Sequence, residues 1–266
     1  MIWLSIVSCT PALFVDSATR ALATAGEPLG LLALGNGCEL PLDELPQDKI
    51  KVARYRSLPE NVGVVAALHQ LWEMSEDVST PADVLAYIHD DFQILEHGWD
   101  GRVASVFERD PRCGLAGFGG STALGGDEIY KKPYEVHQLG RRNFYSDMVG
   151  AEVHGKRVTT EMPIVFTDGQ SMLVKRELLD KVGGWSWWPF ENIHHAYDYG
   201  VACMARRHGY TAWLVPVHCN HVNFQTASQP VYKDLADKYG GDAAVHDKSH
   251  RFVYEQFRDV LPLRLP

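Results

Sequence analysis

Val84-Leu85-Ala86-Tyr87-Ile88-His89-Asp90-Asp91-Phe92 is the stretch whose reading decides the fold. Five consecutive apolar residues read as a strand buried on both faces, the habit of a parallel sheet. The expected strand covers residues 84–89 and delivers two adjacent carboxylates at its carboxyl end. Open α/β sheets collect ligands beyond that end of their strands, and hard oxygen donors there suit Mg²⁺ or Mn²⁺. The competing reading is a polar strand-to-helix turn in which Asp90 or Asp91 caps the next helix.

Outward from this strand, the N-terminal half alternates two kinds of segment. Residues 2–8, 29–34 and 49–55 read as strands, and residues 16–25 and 62–74 as helices, the first capped at Asp16 or Ser17. Such βαβ alternation predicts a mainly parallel central sheet flanked by helices on both faces. A helix near 96–109 and a strand near 113–118 continue the pattern, which then breaks. Residues 117–160 hold eight glycines among mixed charges and aromatics, too long for an ordinary connection, and read as a functional flap or acceptor-binding insertion.

Composition bounds the class. The chain has 266 residues, 45% hydrophobic and 22% charged, enough for one substantial core, and a net charge of −9 argues against indiscriminate nucleic-acid binding. Cys9, Cys38, Cys113, Cys203 and Cys219 show no paired spacing and read as reduced, mostly buried thiols. The apolar start, residues 1–7, lacks a basic leader, and no run of about eighteen apolar residues occurs. A soluble cytoplasmic protein without membrane contact is expected.

Regularity resumes with Val165-Phe166-Thr167-Asp168-Gly169-Gln170-Ser171-Met172-Leu173-Val174 and a helix over 176–182 that stops at Gly183-Gly184-Trp185. His194-His195-Ala196-Tyr197-Asp198-Tyr199-Gly200 opens another helix, ending before Gly209, and a strand over 211–215 empties into His218-Cys219-Asn220-His221. Acids and histidines thus collect at element ends.

In order and spacing these residues resemble the metal-dependent GT-A glycosyltransferases, family-2-like, of the branch with a streptomycin-biosynthesis-type domain. The resemblance runs over roughly residues 2–225: the turn Ser8-Cys9-Thr10, Asn61-Val62-Gly63, His89-Asp90-Asp91, Asp168-Gly169, the Gly183-Gly184-Trp185 stop, Tyr197-Asp198, and a late histidine. It implies a GT-A domain over 1–225, with C-terminal helices over 226–266 packing on it. Three positions depart from the family's pattern. Gly35-Asn36-Gly37-Cys38 stands where an aspartate is common, Gly200 where a second acid follows the Tyr-Asp pair, and Met204 where an arginine is frequent.

The implied chemistry is transfer of a sugar from a nucleotide-diphosphate sugar, expected to be a UDP-sugar, to an acceptor hydroxyl with inversion. By the resemblance, Asp91 binds Mn²⁺ or Mg²⁺ directly and His221 or His218 completes the coordination. Donor contacts fall to Ser8, Cys9, Thr10, Asn36, Asn61, His89, Asp90, Asp168 and Gly169, with Asp90 on the ribose or a metal-bound water. Asp198 is the expected catalytic base, with Glu191 the second candidate. His194 and His195 are read as acceptor contacts or polar surface, and Trp185, Trp187 and Trp188 as a stacking face or plain core.

The acceptor is addressed only by the insertion. Between Tyr130 and Val158, Lys131, Lys132, Arg141, Arg142, Lys156 and Arg157 face three acids and are interleaved with aromatics. That mixture suits a phosphate-bearing, stackable acceptor such as DNA with a hydroxymethylated base, as bacteriophage enzymes modify in a host cytoplasm. A mobile lid over the diphosphate, a glycan or a small metabolite are the competing readings. A nucleotidyltransferase would want a Gly-rich, lysine-bearing loop, and Val7-Ser8-Cys9-Thr10-Pro11 offers none. A non-catalytic sugar- or nucleic-acid-binding relative stays open because of Gly35, Gly200 and Met204.

Overall fold

The computed structural model describes residues 1–126, 131, 144–149, 155–190, 195–222 and 237–265. Side-chain alternation sets its layers. Strands β1 (Ile2–Ser8), β2 (Leu29–Asn36) and β4 (Val84–Ile88) are buried almost throughout, and successive residues enter opposite cores. Trp3, Leu32, Leu34, Leu85 and Tyr87 face one core; Leu4, Ile6, Leu31, Ala33, Ala86 and Ile88 face the other.

Helices cover both faces. On the second core lie α1 (Pro11–Thr24), through Phe14, Ala18 and Leu22, and α3 (Trp99–Arg109), through Trp99, Val103 and Val106. On the first lie α2 (Val64–Ser75), α4 (Arg176–Val182), α5 (Tyr197–Arg207) and α6 (Asp242–Phe257). Trp188 meets Phe252 edge-on, and Trp187 meets Phe257 likewise, so aromatic rings seat α6 on the segment that follows α4. Trp185 and Trp188 are buried, which makes these tryptophans core.

The remaining strands of the main sheet are β3 (Ile50–Leu58), β6 (Cys113–Gly117), β12 (Met162–Ile164), β14 (Ser171–Lys175) and β15 (Thr211–Leu214). Their order is β12-β15-β6-β14-β4-β1-β2-β3. β1 pairs in parallel with both β2 and β4, β2 with β3 and β6 with β15, whereas β14 runs antiparallel to β4 and β6. The chain leaves β1 toward β2 and later returns to β1's other side with β4. That reversal opens a crevice at the carboxyl ends of β1 and β4, where Ser8 and Asp90 lie.

Several sequence-based expectations need correction. Helix α1 starts at Pro11, five residues earlier than expected, because proline is suited to the first helical position and Thr10 stands in the cap position. Strand β4 ends at Ile88, and Asp90-Asp91 leads into a short strand, β5 (Phe92–Ile94), rather than a helix, so neither aspartate is a cap. Helix α3 begins only at Trp99, after Gly98 at φ 74°. The terminal segment is tied to the fold: Leu263 is buried, and β17 (Leu263–Arg264) pairs with β8 (Ala123–Leu124).

Residues 117–160 are partly strand. A four-stranded sheet joins β11 (Lys156–Arg157), β9 (Phe144–Ser146), β7 (Gly119–Ser121) and β13 (Phe166–Thr167). A three-stranded one joins β10 (Met148–Val149), β16 (Cys219–His221) and β5. The basic residues Lys132, Arg141 and Arg142 lie outside the described residues.

Candidate active site

The turn after β4 is clamped from three sides. The Phe92 amide donates to the His89 carbonyl at 3.2 Å, the His89 amide to Gln170 O at 3.1 Å, and Ser17 Oγ to Phe92 O at 2.6 Å. Held so, Asp90 and Asp91 point to different partners. Asp90 turns to β1, where Ser8 Oγ donates to its Oδ2 at 2.5 Å while accepting the Thr10 amide at 3.0 Å.

Asp91 turns to the late histidine. Antiparallel pairing of β5 with β16 sets His221 opposite Phe92, and the Val222 amide donates to Asp91 O at 2.9 Å. His221 Nε2 therefore lies 3.2 Å from Asp91 Oδ1, and His89 Nδ1 lies 3.9 Å from the same oxygen. Donor atoms of His89, Asp91 and His221 all fall within 4.8 Å of one another. Adjacent ligands about 2.2 Å from an octahedral ion stand about 3 Å apart, so this spacing fits one divalent cation. Two imidazoles and a carboxylate favour Mn²⁺ over Mg²⁺.

Electrostatics agree with that use. Burial works to raise the Asp91 pKa, yet the His221 hydrogen bond and the charges of His89 and His221 outweigh it and hold the carboxyl below its usual value. Burial holds His89 below the usual imidazole value against the pull of Asp91, and the neighbouring His221 adds to the lowering.

Asp198 is the opposite case. It lies in the first turn of α5, behind Ala196, which holds a left-handed φ of 64°. Burial first, and then the nearby charge of Asp168, push its pKa up to about 7. Asp168 caps its own turn by accepting the Gln170 amide at 3.0 Å. Between the two carboxylate regions stands Tyr197, whose hydroxyl is 3.4 Å from both His89 Nε2 and Gly169 O. A Cβ at Gly169 would come 2.5 Å from that hydroxyl, so a larger residue there would displace the Tyr197 ring.

Other expected site residues divide. Asn36 spends its side chain internally: Nδ2 donates to Asn61 Oδ1 at 2.9 Å and Oδ1 accepts the Val62 amide at 2.8 Å. It shapes the loop before α2. Gly35 has no room for the family's acid, since a Cβ would meet Cys38 O at 2.0 Å. Cys9 and Cys38 lie close enough to Asp90 for its charge to add to burial in raising both thiol pKa values.

His218 does not join Asp91. Its ring faces Asp147, Nδ1 to Oδ2 at 3.4 Å, and its amide donates to Glu96 at 2.8 Å, just before β16 begins. At Gly200 a Cβ would strike the Trp187 ring at 2.3 Å, which excludes an acid there, and Met204 is buried in the core. Glu191 and His194 lie outside the described residues; His195 stacks on His246 of α6 with centroids 3.6 Å apart. Sequence reasoning placed His89 among the donor contacts and missed its approach to Asp91 and Tyr197. The only signal was an imidazole two residues before the acid.

No family model and no curated protein sequence matches the chain. Solved structures do. A mannosyltransferase of Pyrobaculum calidifontis, in complex with GDP-Man and Mn²⁺, aligns at 13% identity and TM-score 0.50 over 98% of this chain and 73% of its own. TarS residues 1–349 of S. aureus, in complex with UDP-GlcNAc, align at 9% identity and TM-score 0.58 over 97% of this chain and 72% of that one. GalNAc-T7 with UDP, GalNAc and Mn²⁺ aligns at 11% identity and TM-score 0.53 over 95% and 55%. At such identities the likeness establishes architecture: this chain has the GT-A fold.

Proposed function

We propose that the chain is a divalent-metal-dependent glycosyltransferase that moves a sugar from a nucleotide-diphosphate sugar to an acceptor hydroxyl. The observation that carries this reading is the convergence of His89, Asp91 and His221 at the crevice beside the Ser8–Asp90 pair, in a GT-A fold. When bound, a divalent cation there neutralises charge on the departing diphosphate as a Lewis acid. Asp91 and His221 hold it, and Asp90, oriented by Ser8, contacts the donor's ribose.

Asp198 is the base. The acceptor oxygen attacks the anomeric carbon as the bond to the diphosphate oxygen breaks, and the acceptor's proton passes to the Asp198 carboxylate. A single displacement of this kind inverts the anomeric centre. A carboxyl poised near pH 7 is matched to that task, being ionised often enough to accept and basic enough to pull.

For the donor we favour UDP-sugars, with GDP-Man as the alternative, since the structural neighbours carry one or the other. DNA as acceptor draws less support than a plain hydroxyl acceptor. Of its basic residues, Arg157 is engaged by Asp147 and Lys156 lies over the Tyr145 ring. Among the described residues no helix is long and apolar enough to cross a membrane, and we place the enzyme in the cytoplasm.

A panel of UDP- and GDP-sugars with Mn²⁺ tests the proposal by release of nucleoside diphosphate, alone and with glycan or hydroxymethylated-oligonucleotide acceptors. Metal-stimulated release from one donor class, abolished by a chelator, is expected. Donor binding without release in every combination would make the chain a binding module.

A further inference from the structure

Protons on the Gly169–Tyr197–His89 chain can be assigned one by one. The Gly169 carbonyl only accepts, so the Tyr197 hydroxyl 3.4 Å away donates to it. Its own proton so directed, the Tyr197 oxygen presents lone pairs to His89 Nε2, also at 3.4 Å, and that nitrogen carries the ring's hydrogen. Val7, Leu68, Ile88 and Met172 line the small cavity behind this contact, together with Tyr87.

An imidazole that ligates is neutral, and with its hydrogen on Nε2 the bare atom is Nδ1, which faces Asp91 Oδ1 at 3.9 Å. A divalent cation between these two atoms would be ligated by both. His221 Nε2 looks at the same oxygen from 3.2 Å. Ligating histidines commonly have their second nitrogen fixed by an oxygen partner, which sets tautomer and ring angle.

We infer that Tyr197 is a positioning residue which, backed by the Gly169 carbonyl, fixes the tautomer of His89 and makes its Nδ1 a third protein ligand to the cation held by Asp91 and His221. The inference rests on the metal reading proposed above. It adds a two-imidazole, one-carboxylate centre selecting Mn²⁺, Co²⁺ or Zn²⁺ over Mg²⁺. It also ties that centre to the α5 turn that carries Asp198, the residue after Tyr197.

Electron spin-echo spectroscopy of Mn²⁺ bound to the full chain counts coordinated imidazoles without needing a substrate. Two are expected in the unaltered protein and one in His89→Ala. Tyr197→Phe keeps the ring that packs edge-on against Trp185 and loses only the hydroxyl. It should weaken Mn²⁺ binding ~10–100-fold, with the melting temperature little changed. A single imidazole in the unaltered protein overturns the inference while leaving the transferase reading intact. Unaltered Mn²⁺ affinity in Tyr197→Phe overturns the positioning role. Two imidazoles in a chain that turns over no nucleotide sugar would sustain the inference and sink the transferase reading.

Discussion

The turn after β4 and the entry to α5 each enclose an aspartate, and they hold it in opposite states. Asp91 is as buried as a core leucine, yet its carboxyl is kept below the ordinary value by two imidazoles. Asp198 is more open, yet burial of its carboxyl and the like charge of Asp168 lift it to about 7. The difference teaches that burial pushes both carboxyls up and partners decide whether it prevails: the His221 hydrogen bond and its companions overcome it at Asp91, whereas the like charge of Asp168 adds to it at Asp198. The first state suits an ion and the second suits proton transfer.

The hardest blow to this comparison is Asp198→Asn, which removes the base and leaves the ion site. Transfer should fall ~10²–10⁴-fold with Mn²⁺ affinity within about twofold of the unaltered protein, read by steady-state kinetics and Mn²⁺ titration. Near-normal transfer would move the base elsewhere. Asp91→Asn is the converse. It should weaken Mn²⁺ binding ~10–100-fold and remove metal stimulation, measured by the same titration. Full metal response in that variant would detach Asp91 from the ion.

The pH behaviour sharpens the contrast further. With Asp198 ionised as the active form, log kcat/KM should rise with unit slope toward pH 7 and level off above it, and Asp198→Asn should erase that limb. Stability carries the opposite sign. A carboxyl whose folded pKa is raised stabilises the fold fully below its unfolded value and loses that contribution as pH climbs through about 7. Asp198→Asn should therefore raise the melting temperature at pH 8, with the gain shrinking between pH 7 and about 4. A gain that grew in acid would contradict the assignment.

Two smaller effects concern the packing around α5. Gly200→Ala drives a methyl into the Trp187 ring and should cost ~1–3 kcal/mol in chemical denaturation. Ala196→Gly relieves the left-handed strain before Tyr197 but adds freedom to the unfolded chain, and should change stability by less than ~1 kcal/mol.

Much of the sheet was legible in sequence because its strands are buried on both faces and read as unbroken apolar runs, β1, β2 and β4 above all. Element ends were less so. Helix α1 was placed late because its first turn, Pro11-Ala12-Leu13-Phe14, is apolar without an acidic cap. Strand β5 went unseen because three residues carry no period. At the site, the acids and histidines at strand ends stood out, but which of them meet was a matter of pairing far apart in the chain. His221 reaches Asp91 through the β5–β16 ladder across 130 residues, while His218 is held by Asp147 and Glu96. Nothing local tells an asparagine that reaches a ligand from one that bridges two loops, as Asn36 does. The departures at Gly35 and Gly200 have steric causes, the Cys38 carbonyl and the Trp187 ring, that only folded neighbours supply.

The most direct measurement is anomalous diffraction from crystals soaked with Mn²⁺ and UDP. A single manganese peak within about 2.0–2.3 Å of an Asp91 carboxylate oxygen and His221 Nε2, touching the diphosphate, is the predicted result. A manganese bound elsewhere on the chain, or UDP seated away from the Ser8–Asp90 crevice, would contradict it.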